Sequence, residues 1–165
     1  MFLVPLIVRI PDLFGYAVVG YLLVLVLDSV IGLSLYVVLR PANKGRAVLT
    51  ATLRLLYVFV LVIGLFALVF QAIDAYGYAS IKLVGYLFFA LHLLVLGYTV
   101  LKSGYVPKSL GVLLMLASFT YITFFVDLSL PEPLKVMIML IMALAELSLS
   151  IWLIVKRNSL PEYNR

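Results

Sequence analysis

The chain has 165 residues, 66% of them hydrophobic and only 12% charged, with a formal net charge of +5 and a mean hydropathy of +1.26. A soluble domain averages about 45–50% apolar and about 25% charged residues, so no water-soluble fold hides this much apolar surface, and a bilayer is the expected solvent. With no cysteine, disulfides, Cys-ligated zinc and iron–sulfur clusters are excluded, and the basic residues lie beside apolar segments, where they read as topology signals rather than as a nucleic-acid footprint.

Residues 1 to 12, "MFLVPLIVRIPD", carry no basic n-region and are interrupted by Pro5, Arg9 and Pro11. They read as an interfacial N-terminal segment rather than a signal peptide, since ten apolar residues fall short of the ~20 needed to cross a bilayer. Five apolar runs follow, Leu13–Leu39, Leu49–Phe70, Ser80–Leu101, Leu110–Val126 and Leu134–Val155. At ~1.5 Å per residue each reaches across a ~30 Å hydrocarbon core, the fourth only just. The runs do not alternate, which removes a β-barrel. The fold expected is an all-α integral membrane protein, a compact bundle of five transmembrane helices over residues 13–157 with a short tail at 158–165. Proline marks three of the breaks, in "LRPANKGR", "KSGYVPKS" and "LSLPEPLK".

Charge sets the expected orientation. Arg40, Lys44, Arg46, Lys102, Lys108, Lys156, Arg157 and Arg165 fall on one side, against Arg9, Lys82 and Lys135 on the other. The positive-inside rule then puts the first and third connections and the C-terminus in the cytoplasm and the N-terminus outside the cell membrane.

Ionisable groups inside the runs are few: Asp28, Arg54, His92 and Glu146. Asp28, His92 and Glu146 stand about 15, 12 and 12 residues into three runs of the same direction, hence at a similar depth. A charge at a helix centre costs about 2.5–3.5 kcal/mol on insertion scales, so three titratable groups at one level read as one buried polar site. Arg54 enters from the opposite side about five residues into its run, near enough to snorkel or to reach the carboxylates. Thr50, Arg54, Tyr57, Leu61, Gly64, Leu68 and Gln71 form one stripe of the second helix, Gly111, Met115 and Ser118 one of the fourth, and Asp28 and Gly32 one of the first. Tyr57, Gln71 and Ser118 are the supporting candidates, because small and polar faces point into a bundle.

Three segments, "DSVIGLSLYVVLRPANKGRAVLTATLRLLYVF", "FFALHLLVLGYTVLKSGYVPKSLGVLLMLASFTY" and "LAELSLSIWLIVK", resemble the DUF4386 family of prokaryotic multi-pass membrane proteins over roughly residues 20–157. The family pattern carries an Asp before the basic-Pro-x-Asn-Lys turn, an Arg in "R-L-x-Y", a His in "LHLL" and a Glu in "ELxLxxWLL". These positions correspond to Asp28, Arg54, His92 and Glu146. Many members are longer, with a further N-terminal helix. The resemblance implies no activity.

Three functions compete on these residues. The first is a buried polar site that binds or transports a proton, ion or small solute. The second is a structural or accessory subunit of a larger membrane complex, whose charges fix helix register; a homo-oligomer is the assembly that would supply the first function with what one subunit lacks. The third and weakest is a metal-dependent intramembrane enzyme with Asp28, His92 and Glu146 as ligands, although no HExxH or G-x-S-x-G pattern is present. No catalytic residue and no cofactor is predicted, and the lipid bilayer is the expected partner.

Overall fold

The computed structural model describes residues 11–124 and 131–156, and these are helical throughout apart from short turns. The helices are α1 (Pro11–Leu39), α2 (Lys44–Val69), α3 (Ala75–Ser103), α4 (Lys108–Thr120) and α5 (Glu132–Val155), with a 3₁₀ turn Tyr121–Phe124 after α4. Four of them, α1, α2, α3 and α5, are long and apolar enough to cross a membrane. Their outward surfaces are hydrocarbon: Leu23, Phe59 and Leu140 are each more than half exposed. Such a surface is costly in water at about 25 cal/mol per Å².

Capping decides where the helices begin. Asn43 ends the first connection in extended backbone, and its side chain accepts the Arg46 N–H at 2.9 Å. Asp74 does the same for α3, accepting the Gly77 N–H at 2.8 Å. Each cap recruits a polar turn into the helix that apolarity alone omits. The second helix therefore starts at Lys44 rather than Leu49, and the third at Ala75 rather than Ser80. Pro11 and Asp12 likewise belong to α1, where the sequence suggested an interfacial segment; the rest of that segment, residues 1–10, and the tail 158–165 lie outside the described residues.

The fourth expected span corresponds to a shorter helix. α4 has 13 residues, about 20 Å of rise, before the backbone tightens into the 3₁₀ turn. Residues 125 and 126 of the expected run lie outside the described residues. Pro107, which cannot donate to a ladder, sets the start of α4.

Each of α1 to α5 packs on the next in chain order, and α2, α3 and α4 make the tightest layer. α3 and α4 touch backbone to backbone. A Cβ on Gly97 would stand 2.7 Å from the Gly111 carbonyl oxygen, and one on Gly111 would stand 2.8 Å from that of Gly97. No side chain fits there, which is the small-residue crossing that brings helices together in lipid. Two hydroxyls add to the packing. Ser118 donates to the Ala90 carbonyl across the α3–α4 contact at 2.8 Å, and Tyr105 donates from the α3–α4 connection to the Val38 carbonyl near the end of α1 at 2.6 Å. The main core of Leu35, Leu39, Leu93, Leu96, Leu114 and Leu149 runs between these helices.

Candidate functional site

Arg54 organises the centre of the bundle. The N-cap at Asn43 places it about ten residues into α2, some 15 Å along the axis, twice as deep as the apolar run alone suggests. The side chain is only 3% exposed, turned into the bundle rather than out toward the helix end. Its Nη2 donates to Asp28 Oδ1 on α1 and, at 3.4 Å, to Glu146 Oε2 on α5. Its Nη1 lies 3.2 Å from His92 Nε2 on α3. One guanidinium thus meets side chains from three other helices.

The hydrogen bonds also settle the histidine. An arginine only donates, so His92 Nε2 accepts, and the ring proton sits on Nδ1. That Nδ1–H donates to the Thr50 carbonyl at 2.8 Å. His92 is fully buried and neutral in this arrangement, with both ring nitrogens satisfied. Phe89, one turn before it on α3, puts its ring 5.1 Å from the Arg54 guanidinium carbon and 5.6 Å from the imidazole, so the cation rests on a π-face. Gly32 on α1 leaves room for the arginine stem: a Cβ there would touch Arg54 Cδ at 3.5 Å.

The two carboxylates are held unequally. Asp28 is in direct contact with Arg54 and its side chain is 14% exposed, whereas Glu146 is held at 3.4 Å and is 30% exposed. Glu146 faces a groove of about 200 Å³ between α1 and α5, with Arg54 at its inner end. Ile31, Leu35 and Val38 form one wall, and Leu149, Leu153 and Ile154 the other. Leu96 and Leu114 form the floor. Among the described residues Ser34 and Ser150 are the hydroxyls lining it, and each donates within its own helix, to the Val30 and Glu146 carbonyls. The groove follows α1 and α5 for about two turns, or ~11 Å, from the ionic centre toward the end of the bundle where the α1–α2 connection lies.

The supporting candidates separate. Tyr57 packs against Phe89 at a tilt of 54°, with ring centroids 4.6 Å apart, and so braces the site through that ring. Ser118 serves the α3–α4 crossing instead. Gln71 lies beyond the end of α2, exposed, in a left-handed turn (φ 57°) where Ala72 N–H closes back on the Ala67 carbonyl at 2.8 Å. The helical stripe ends before it. Among the described residues no three His, Asp or Glu side chains stand together as a metal site; the guanidinium occupies the space between Asp28, His92 and Glu146.

Phe89, Ser34 and Ser150 were not singled out by the sequence. Spacing marks two of them: Phe89 precedes His92 by three residues and Ser150 follows Glu146 by four, each one helical turn away.

A family model described as a domain of unknown function (DUF4386) matches residues 5–73 and 67–156. An uncharacterized protein of the archaeon Archaeoglobus fulgidus is 38% identical over 107 residues, 65% of this chain and 64% of the relative. The chain therefore spans less than two thirds of that relative's length. No solved structure matches. With the matched segments running almost the whole described length, the chain belongs to the DUF4386 family.

Proposed function

We propose that the bundle is inserted in the cell membrane, with the α1–α2 and α3–α4 connections and the C-terminus facing the cytoplasm, and that it carries an intramembrane site exchanging a proton or small cation at Glu146. The topology rests on the basic residues Arg40, Lys44, Arg46, Lys102, Lys108 and Lys156 at that end of the helices. The observation that carries the functional reading is a charge count. Two carboxylates, Asp28 and Glu146, share one guanidinium, while His92 is neutral by its hydrogen bonds. The fully ionised site has one negative charge too many. An uncompensated charge in an apolar interior is expensive, so the resting site holds one proton or one monovalent cation. Asp28 is the closer partner of Arg54, and Glu146 is the more exposed carboxylate and lines the groove. Glu146 is therefore the group that exchanges.

Infrared difference spectroscopy of the protein in lipid nanodiscs tests this. A carboxylic-acid carbonyl band that titrates with pH and vanishes in Glu146→Gln supports exchange. Absence of any titrating carboxyl band overturns it.

A second reading has one specific observation in its favour. Arg54 ties α1, α2, α3 and α5 at one point, as a register pin in an accessory subunit would. On that reading Glu146→Gln alters thermal stability and leaves every proton and ion measurement unchanged.

A further inference from the structure

We infer that the α1–α5 groove takes a lipophilic monocation, a protonated or quaternary amine with one apolar tail, whose positive head pairs with Glu146 in place of the proton. The inference rests on the exchange reading above and names its substrate class.

Three features of the groove define the ligand. Its walls are aliphatic, from Ile31, Leu35 and Val38 on α1 to Leu149 and Leu153 on α5, so they suit a hydrocarbon tail. Its inner end presents Glu146 beside Arg54; with Arg54 matched in charge by Asp28, the Glu146 carboxylate is the net charge left over, so charge complementarity asks for one positive charge. An anionic head would meet that same surplus carboxylate and is disfavoured. Its outer edge is open between the helices: Ile31 is 38% exposed and Ile154 72%. A ligand dissolved in the bilayer reaches the site sideways, without crossing a loop.

Size agrees. A groove of about 200 Å³ has room for a small cationic head and the first methylenes of its chain, with any longer tail left in the lipid.

The exchange balances in charge. An incoming monocation pairs with the Glu146 carboxylate, the proton that neutralised it leaves for solvent, and the site stays neutral in both states. The charged and titratable groups around Glu146 are Asp28 from α1, Arg54 from α2, with His92 of α3 behind it, and Tyr121 after α4. Arg54 bonds Asp28 and His92 more closely than it holds Glu146, at 3.4 Å, which leaves Glu146 as the acceptor for a second cation.

The test uses hexyltrimethylammonium as the probe, titrated into the full chain in nanodiscs of zwitterionic lipid, with empty nanodiscs as the blank and hexanol as the uncharged counterpart. The expected result is saturable uptake of one probe per chain with release of up to one proton in weakly buffered medium. Apparent affinity should rise about tenfold per pH unit while Glu146 is protonated, because one proton competes for the site. Glu146→Gln should abolish uptake and proton release. Ser34→Phe, which fills the groove without touching a charge, should weaken uptake at least tenfold.

Equal uptake of hexanol, or uptake independent of pH in the unmodified chain, overturns the inference without relying on any variant to fold. A Glu146 carboxyl band that titrates while no probe binds removes the substrate class and leaves the exchange reading standing. A band that never titrates removes both.

Discussion

The two flanks of Arg54 are built on opposite principles. On the α2–α3–α4 side everything is closed. Gly97 and Gly111 bring backbones into contact, Ser118 donates across the crossing, and His92 has both nitrogens satisfied. On the α1–α5 side the helices part into a groove whose lining is mostly aliphatic and where Glu146 is partly exposed. The same guanidinium serves both flanks, as a buried tie on the first and as the inner end of a cavity on the second. On the proposed exchange, the closely packed side holds the reference charge and the more exposed carboxylate on the other side changes partners.

Mutations that break this contrast are ordered by how much of the closed side they disturb. The largest effect is expected from Arg54→Met, which strands Asp28 and Glu146 without a cation. Removing one partner of a buried pair costs about 3–5 kcal/mol, which should appear as loss of the folded monodisperse species or a fall in melting temperature of about 10 °C in detergent. Gly97→Val comes next. Its new methyls would overlap Gly111 and Met115, so α3 and α4 must separate. Overpacking of this kind costs about 1–3 kcal/mol, read as a lower melting temperature, with Gly111→Val giving a non-additive double variant. His92→Ala should cost a similar or smaller amount, about 1–3 kcal/mol, because Arg54 Nη1 and the Thr50 carbonyl each lose a partner. Ser118→Ala removes one interhelical hydrogen bond and should cost about 0.6 kcal/mol. Glu146→Gln should be the mildest, within about 0.5 kcal/mol, because the amide keeps an acceptor for Arg54 and relieves the surplus negative charge. A melting temperature lowered as far by Glu146→Gln as by Arg54→Met would erase the distinction between the flanks.

How much of this was legible depends on the residue. The depth of Asp28, His92 and Glu146 along their helices placed them at one level, and the structure brings all three to Arg54. Arg54 itself was read too shallow, because an apolar run does not register the polar turn that Asn43 adds to α2. Gln71 was placed on the helical stripe, but α2 closes in a left-handed turn at that residue. The expected fourth span corresponds to a 13-residue helix, since apolarity continues past Thr120 although the α-helical hydrogen bonding does not. The groove was not visible at all: Ser34 and Ser150 are ordinary small residues until α1 and α5 face each other.

The sequence by itself determined the all-helical class, the apolar surfaces, the proline-marked breaks and the family, while the caps Asn43 and Asp74, equally local, went unread. These are local properties, written in runs, caps and prolines. The tertiary structure alone decided rotation. α1 is apolar on nearly every side, so no face of it is preferred in hydrocarbon. Its azimuth comes from Gly32 lying against the Arg54 stem, from Asp28 reaching the guanidinium and from Tyr105 holding Val38. Contacts between residues so distant in the chain have no signature in any one segment, and they turned four isolated polar residues into one site with an open side.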